Sequence, residues 1–163
     1  MALKSDRHEF DTDISFFMNE VATRGGIASI STAGSGAALD QGVALVSYTG
    51  EPSGTAPVGI LLNDMVNLDL TRQHINQHKD EIQKGGKVTL LRKGWVVTNM
   101  IAGTNPTAGQ DAYVAHSGYL SASDIAADGT GPSIGTWLST VDQDGYAKVS
   151  INLPVTWKPR ADV

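Results

Sequence analysis

The sequence predicts an all-β protein: a small antiparallel β-barrel or β-sandwich with an N-terminal arm, extended or short-helical. Among the 163 residues are 18 glycines and 6 prolines, and only 18% are charged, a composition that suits a chain with many turns. Segments rich in β-branched and aromatic residues recur at intervals of roughly eight to twelve residues, with turn signals between them. The segment Tyr146 to Leu153 alternates apolar and polar residues, as an antiparallel strand with one wet face does.

The stretch Lys87 to Thr98, KVTLLRKGWVVT, is predicted to organise the fold. Its two β-prone halves flank a short polar link that ends in Gly94, which favours a β-hairpin. Both halves carry adjacent apolar residues, Leu90 with Leu91 and Val96 with Val97. Because successive side chains of a strand point to opposite faces, this pattern predicts a sheet with two occupied faces.

Other segments have the composition of short strands. These are Ile27–Ser31, Val43–Thr49, Pro57–Leu62, Asp111–Ala115, Gly118–Ser121 and Ser133–Val141. The stretch Thr71 to Gln83 is polar, with only two apolar residues. We expect it to lie at the surface, where it either faces solvent or forms hydrogen bonds with another chain.

The chain divides into three parts: an N-terminal arm over residues 1–24, a β domain over residues 25–154 and a tail over residues 155–163. The arm has no glycine between residues 4 and 24 and contains an apolar cluster. Asp13 or Ser15 could cap a short helix there. Alternatively, the arm is extended, and about 20 residues at roughly 3.3 Å each would reach some 65 Å along a partner. The segment could also be a cap that folds on the chain's own barrel.

Charge and composition exclude several classes. A net charge of -5 argues against nucleic acid as the main partner. No cysteine is present, so disulfides and thiolate metal sites are excluded. No apolar run approaches the roughly 18 residues that cross a bilayer, and the polar N-terminus is unlike a signal peptide. We therefore expect a protein that does not enter membranes and is made in the cytosol of whichever cell produces it.

No motif predicts catalysis, and we expect neither an enzyme nor a cofactor. His74 and His78 lie four residues apart, but their segment is a poor helix and lacks the glutamate of a metalloprotease, so no metal is predicted. The glycine-rich run at residues 34–36 lacks the lysine and the flanking strand and helix of a phosphate-binding loop. Ser117 beside His116 is not a nucleophile elbow.

Several blocks of residues, in their order, resemble the capsid decoration, or cement, proteins of tailed bacteriophages. These are GILLND at residues 59–64, NLDLTR at residues 67–72, GGKVTLLRKGWVVTN at residues 85–99, PTAG at residues 106–109, Ala112 with Tyr113, Gly135, and residues 142–153. The resemblance implies a β-barrel or β-sandwich that binds the outer surface of a capsid and joins neighbouring capsomers, commonly as a homotrimer. The implied partners are the major capsid protein and further copies of the chain, and the implied location is the virion.

A protein of this kind works through contacts, and we predict which residues make them. Ile14, Phe16 and Phe17 are predicted anchors of the arm, Arg72, His74 and His78 are predicted polar contacts, and Trp95 is predicted in the core or at a subunit interface. Two alternatives stay open. One is another structural virion component, such as a head fibre base or minor tail protein. The other is a small carbohydrate-binding β-sandwich that stacks sugars on Trp95, Trp137 and Trp157.

Overall fold

The structure is a computed structural model that describes residues 2–32, 45–48, 52, 56–64, 68–69, 74–75, 81–125 and 131–153. Strands dominate these residues. They are β1 Leu3–Asp13, β2 Phe17–Met18, β3 Ala22–Thr23, β4 Ile27–Thr32, β5 Leu45–Ser47, β6 Pro57–Asp64, β7 Leu68–Asp69, β8 His74–Ile75, β9 Glu81–Ile82, β10 Val88–Thr98, β11 Ile101–Ala102, β12 Asp111–Val114, β13 Leu120–Ser121, β14 Ser133–Trp137 and β15 Ala147–Asn152. A short 3-10 helix covers His116–Gly118.

Eleven strands form one sheet in the order β11-β13-β12-β14-β15-β10-β6-β4-β5-β2, with β1 also paired to β10. The pairs β11 with β13 and β2 with β5 are parallel, and the others are antiparallel. Over the described residues the two end strands do not pair, so the sheet stays open. The all-β class is confirmed, while the sheet is mixed and is not a closed barrel.

The segment predicted as a hairpin is instead one 11-residue strand, β10. Strand β6 pairs with residues 88–91, β15 pairs with residues 93–98, and β1 pairs along both parts. The predicted turn was wrong because Gly94 serves a different purpose. A Cβ atom at Gly94 would lie 2.1 Å from the carbonyl oxygen of His8 on β1, so this glycine allows close approach of a neighbouring strand.

Gly94 also changes which side of the sheet the strand presents. Leu91 and Val96 lie five residues apart, yet both belong to the same buried cluster. In a regular strand an odd separation places two side chains on opposite faces. The alternation of β10 is therefore interrupted between them, where Gly94 has a φ of +142°. Opposite this point, the register shift between Glu9 and Asp11 leaves an extra residue, Phe10, on β1, as in a β-bulge of that strand.

Two hydrophobic cores lie on opposite faces of the sheet, as the adjacent pair Leu90 and Leu91 predicted, whereas Val97 of the second predicted pair belongs to neither core. Leu90 lies in one and Leu91 in the other, and both are fully buried. Core 1 contains Leu3, Ile27, Ile60, Leu62, Leu91, Val96, Ala112, Val114, Leu120, Ile134, Trp137, Ala147, Val149, Ile151 and Leu153. Core 2 is smaller and contains Met18, Ala22, Ala28, Val46, Val58, Leu61, Ile82, Val88 and Leu90.

The N-terminal segment is extended, and the alternative of a helix was wrong. Residues 3–13 form β1, and the chain continues through the short strands β2 and β3. Asp13 Oδ1 accepts a hydrogen bond from the Ser15 backbone N–H at 2.7 Å, which is the local contact of a cap. No helical turn follows it in the described residues, because Met18 and Ala22 turn inward to cover core 2 together with Ile82 of β9.

The other predicted strands are confirmed with small shifts at their ends. β4, β5, β6, β12, β13 and β14 coincide with the predicted segments. In β15 the apolar alternation is confirmed, since Ala147, Val149, Ile151 and Leu153 are buried. Within the described residues, no helix has the length and apolar character to cross a membrane.

Candidate contact surface

One half of the sheet leaves one of its faces uncovered. Cross-strand pairing places His8 beside Trp95, Trp95 beside Ser150, and Ser150 beside Thr136. Directly paired residues share a face, and the adjacent row, Val96 with Val149 and Trp137, belongs to core 1. The His8 row therefore faces away from core 1. We call this surface the bare face and define it by Lys4, Asp6, His8, Trp95, Val97, Thr136, Tyr146, Lys148 and Ser150.

Trp95 is the largest side chain of the bare face and is half-buried. The Lys148 ammonium lies 3.5 Å from the centroid of the indole ring, a cation–π contact. The His8 ring lies beside it with its centroid at 6.4 Å and an interplanar angle of 25°. Asp6 Oδ2 lies 3.9 Å from Lys148 Nζ. These neighbours hold the indole ring of Trp95 in a fixed orientation on the outer side of the sheet.

A second cation joins the start of β1 to the turn between β14 and β15. Lys4 Nζ donates to Asp142 Oδ2 at 2.8 Å and lies 4.3 Å from the centroid of the Tyr146 ring. Asp142 Oδ1 also accepts from the backbone N–H groups of Asp144 and Tyr146. The hydrogen bond from Lys4, followed by the bond from Tyr146, lowers the pKa of Asp142, and the same carboxylate raises the pKa of Lys4.

Between these two cation sites lies a cleft of about 360 Å³. Val97 forms its apolar part, and its lysines and carboxylates are those of the two pairs just described. This surface combines a cleft, a flat aromatic ring and charged groups held in fixed positions. Such features suit recognition of another protein surface.

The predicted contact residues are distributed over three regions. Trp95 lies on the bare face, is half-buried and is a member of neither core cluster. Ile14 is 44% exposed, whereas Phe16 and Phe17 are half-buried, with Phe16 packed against core 2. His74 lies in β8, with its side chain outside the description, and Arg72 and His78 lie outside the described residues. The contact roles of these residues stay predictions.

Sequence reasoning missed His8, Lys148 and the Lys4–Asp142 pair. The alternation of residues 146–153 already placed Lys148 on the outward side of its strand. Its position over Trp95 follows only from the register of β15 with β10, and one sequence gives no signal for that register.

Other sites considered from the sequence do not gather into a chemical centre in the described part of the chain. His, Asp and Glu side chains there form no group of three or more that could hold a metal ion. Ser117 and His116 lie in the short 3-10 turn, where Ser117 has a φ of +56°. Trp137 is fully buried in core 1, which removes it from the carbohydrate-stacking face of the alternative hypothesis.

Partly buried Tyr48 has a structural role beside the turn that carries Ser117. Its hydroxyl donates to the carbonyl oxygen of Thr23 and accepts from the Gly26 N–H at 3.1 Å. Burial raises the pKa of this phenol well above its ordinary value. Tyr48 therefore stays neutral and fixes the loop between β3 and β4.

In the described residues, the open two-core sheet and its bare face present a contact surface and no chemical centre. The profile of one family, described as structural cement protein (E217 gp24/Pam3 gp6), matches residues 10–152. The match covers most of the 163 residues, so the chain belongs to this family of phage cement proteins and is a structural protein of the phage capsid. The resemblance to capsid decoration proteins is thereby confirmed. A search of curated proteins found no match.

Proposed function

We propose that the protein binds the outer surface of the assembled phage capsid and joins neighbouring capsomers, so that it stabilises the expanded head. The bare face is the observation that carries this proposal. It lies on the same side of the sheet as core 2, because Trp95 and Leu90 both face away from core 1. One half of that side is covered by the chain itself, and the other half presents Trp95 to a partner.

The physical mechanism is linkage between binding and assembly. A protein that binds the assembled lattice and not its separated subunits stabilises the lattice by its binding free energy, about 2.7 kcal/mol per site when its free concentration is 100 times Kd. When one copy contacts two capsomers, the second contact forms at a high effective concentration. Many weak contacts then add up over the shell.

The N-terminal segment is the second part of the proposed contact. Ile14 is exposed just after β1, Phe16 packs against core 2, and Phe17 lies in β2. Lys87 Nζ lies 6.0 Å from the centroid of the Phe17 ring. This arrangement supports a role in which residues 14–17 form a firmly held ridge, with Ile14 toward the partner. Arg72, His74 and His78 are proposed as polar contacts from their sequence alone.

The test is binding to phage heads that lack the protein. Purified protein is mixed with expanded heads, the bound copies are counted after sedimentation, and the temperature at which the heads rupture is recorded. We expect saturable binding and a higher rupture temperature. Binding to unassembled capsid protein alone, or no binding to heads, would contradict the proposal.

A matched pair of variants tests the surface itself. Trp95→Ala removes the aromatic ring of the bare face, and Tyr119→Ala removes a 40% exposed aromatic ring elsewhere. Central aromatic residues of interfaces often contribute about 2 kcal/mol or more, so we expect Trp95→Ala to weaken head binding by at least about tenfold. Tyr119→Ala should bind like the wild type. The trimeric state implied by the resemblance is tested separately, by light scattering of the purified protein.

A further inference from the structure

Strand β1 forms a long open edge of the sheet. It has 11 residues and pairs with β10 along one side, and no other described strand pairs with its second side. The strands at the two ends of the sheet order, β11 and β2, have two residues each. A short edge offers few unpaired backbone groups, whereas a long edge is a template for a further strand. We call the free side of β1 the outer edge.

The hydrogen bonds of β10 show which of its residues direct their backbone groups toward β1. The Asn99 N–H donates to the Ala2 carbonyl oxygen at 3.0 Å, so Asn99 directs its backbone groups to the β1 side. Hydrogen-bonded and non-hydrogen-bonded pairs alternate along an antiparallel pair of strands. Because residues 93–98 pair with β15 without a register shift, this alternation is regular. Val96 and Gly94 therefore direct their backbone groups away from β1, toward β15.

Two residues of β1 consequently direct their backbone groups to the outer edge. Arg7 and Glu9 lie opposite Val96 and Gly94, so they form non-hydrogen-bonded pairs with β10, and their N–H and C=O groups point outward. His8 between them points inward, since its carbonyl oxygen would lie 2.1 Å from a Cβ atom at Gly94. In the described part of the chain, no backbone group outside β10 is hydrogen-bonded to Arg7 or Glu9.

Phe10 adds an apolar group beside these outward groups. It is the extra residue at the register shift between Glu9 and Asp11, and its side chain is 78% exposed. Bulges often redirect a side chain in this way. Glu9 and Asp13 each lie beside an arginine of the chain, whereas the Asp11 side chain has no ion pair or hydrogen bond within the described ranges. The outer edge thus combines unpaired backbone groups, an exposed aromatic ring and a free carboxylate.

We propose that the outer edge receives an extended segment of the major capsid protein, which adds a strand to the sheet. Its backbone forms hydrogen bonds with Arg7 and Glu9, an apolar residue covers Phe10, and a Lys or Arg side chain meets Asp11. The proposal rests on the proposed function and names a second contact with the same partner. Strand β1 also supplies three residues to the bare face, so a partner seated on that face lies next to the outer edge.

A second copy of the chain fits this edge less well than a partner strand of opposite charge. Antiparallel pairing of two β1 strands around Asp11 would place this carboxylate opposite its own copy and Glu9 opposite Asp13. Like charges directly opposite each other destabilise a strand pair. Pairing centred nearer the start of β1 is interrupted by the register shift between Leu3 and Arg7.

The first experiment does not depend on capsids. In the ¹⁵N-labelled full chain, the backbone amide signals of Arg7, His8 and Glu9 are followed while an acetylated Lys-Val-Lys-Val-Lys-Val amide is added. We expect saturable shifts at Arg7 and Glu9 that exceed the shift at His8. The matched peptide with Glu in place of Lys should bind at least about tenfold more weakly. No saturable shift at Arg7 and Glu9, or equal affinity for the two peptides, would overturn the proposal.

The second experiment measures hydrogen exchange of the full chain, free and bound to heads that lack it. The amides of Arg7 and Glu9 should exchange at least about tenfold more slowly in the bound state, because they gain acceptors there. The Lys84 amide, in the exposed turn before β10, is the control and should exchange equally in both states. Unchanged exchange at Arg7 and Glu9 in the bound protein would contradict a strand at this edge.

Matched variants separate the backbone contact from the side chains. Glu9→Pro removes the outward N–H, which β10 does not use, while Glu9→Ala removes the same carboxylate and keeps that N–H. We expect Glu9→Pro to bind heads about tenfold more weakly than Glu9→Ala. Equal binding of the two folded variants would reject the backbone contact, and if Glu9→Pro does not fold, the exchange experiment decides.

Phe10 has a matched control of its own. Phe10→Ser should weaken head binding about tenfold, whereas Val21→Ser, which changes a 55% exposed apolar residue elsewhere, should bind like the wild type. Equal weakening in both, or in neither, would contradict the role of Phe10. Light scattering of the free protein tests the other occupant: a dimer that Phe10→Ser converts to a monomer would assign the edge to a second copy and overturn the proposal.

The edge proposal and the proposed function fail in different ways. If the wild type does not bind heads, the proposed function is rejected, and the peptide titration still decides whether the outer edge takes a basic strand. If the wild type binds heads while exchange at Arg7 and Glu9 stays unchanged, only the edge proposal is rejected.

Discussion

The two halves of the sheet face that points away from core 1 differ in what covers them. Around Leu90, residues 14–24 and β9 lie over the face, and Met18 and Ile82 are buried there. Around Trp95, the turn between β14 and β15 lines one side of the cleft, and Trp95 itself belongs to neither core. The same sheet surface therefore serves folding in one half and is open to a partner in the other.

The difference between the halves depends on the interrupted alternation of β10 at Gly94. Without the reversal of faces, Val96 would not join Leu91 in core 1 and Trp95 would point inward. The interruption at this glycine is thus what places Val96 in core 1 and Trp95 on the bare face. Four predictions test this comparison, beginning with the change that should have the largest effect.

Gly94→Ala should cause the greatest loss of stability. The new Cβ would lie 2.1 Å from the His8 carbonyl oxygen at a φ of +142°, so β1 must move away from β10. We expect a loss of about 3 kcal/mol or more in the free energy of unfolding, measured with urea. The control is Gly109→Ala, which has a φ of +93° and no atom within 4 Å of the added Cβ, and it should cost about 1–2 kcal/mol. Equal losses would contradict the close-approach explanation.

Met18→Ala should mainly lower the free energy of unfolding, whereas Trp95→Ala should mainly weaken head binding. Met18 is fully buried in core 2, so its truncation should cost about 2–5 kcal/mol in unfolding free energy. Trp95 is half-buried on the bare face, so its truncation should cost only about 1 kcal/mol while it weakens head binding. Urea unfolding and head sedimentation measure the two effects. If Met18→Ala weakened binding under conditions where it stays folded, and Trp95→Ala did not, the assignment of the two halves would be reversed.

The sequence predicted more of the fold than of the surface. Adjacent apolar pairs such as Leu90 with Leu91 report which faces are covered, because the two-residue period of a strand is a local property. The hairpin was wrong because a glycine that permits close approach and a glycine that permits a turn look identical in one sequence. The Trp95 environment joins residues from β1, β10 and β15, which are far apart along the chain. Their register is set by tertiary pairing, and only Trp95 itself was predicted.

Lys148→Gln should have a smaller effect, specific to the bare face. It removes the cation that lies 3.5 Å from the Trp95 ring centroid but leaves the apolar stem of the side chain in place. A partly exposed cation–π contact contributes about 0.5–1 kcal/mol, so the unfolding free energy should fall by that amount. The fluorescence of Trp95 should change, which a general loss of stability would not produce in the folded protein. The control is Lys84→Gln, whose exposed side chain should leave both quantities unchanged.

The smallest expected effect is a pH dependence that comes from Asp142. Its pKa in the folded protein lies below the ordinary value of 3.8, chiefly because of the hydrogen bond from Lys4. A carboxyl group whose pKa is lower in the folded state stabilises the fold above its unfolded pKa and loses that contribution as the pH falls through the folded pKa. Wild-type protein should therefore lose stability below about pH 4 more steeply than Asp142→Asn, which has no proton to gain there. Urea midpoints of both proteins at a series of pH values measure this difference. Because the Lys4–Asp142 pair is exposed, the difference between the two proteins' pH dependence should shrink in high salt. Parallel plots of urea midpoint against pH at low salt would show that the pair does not hold the start of β1 to the turn between β14 and β15.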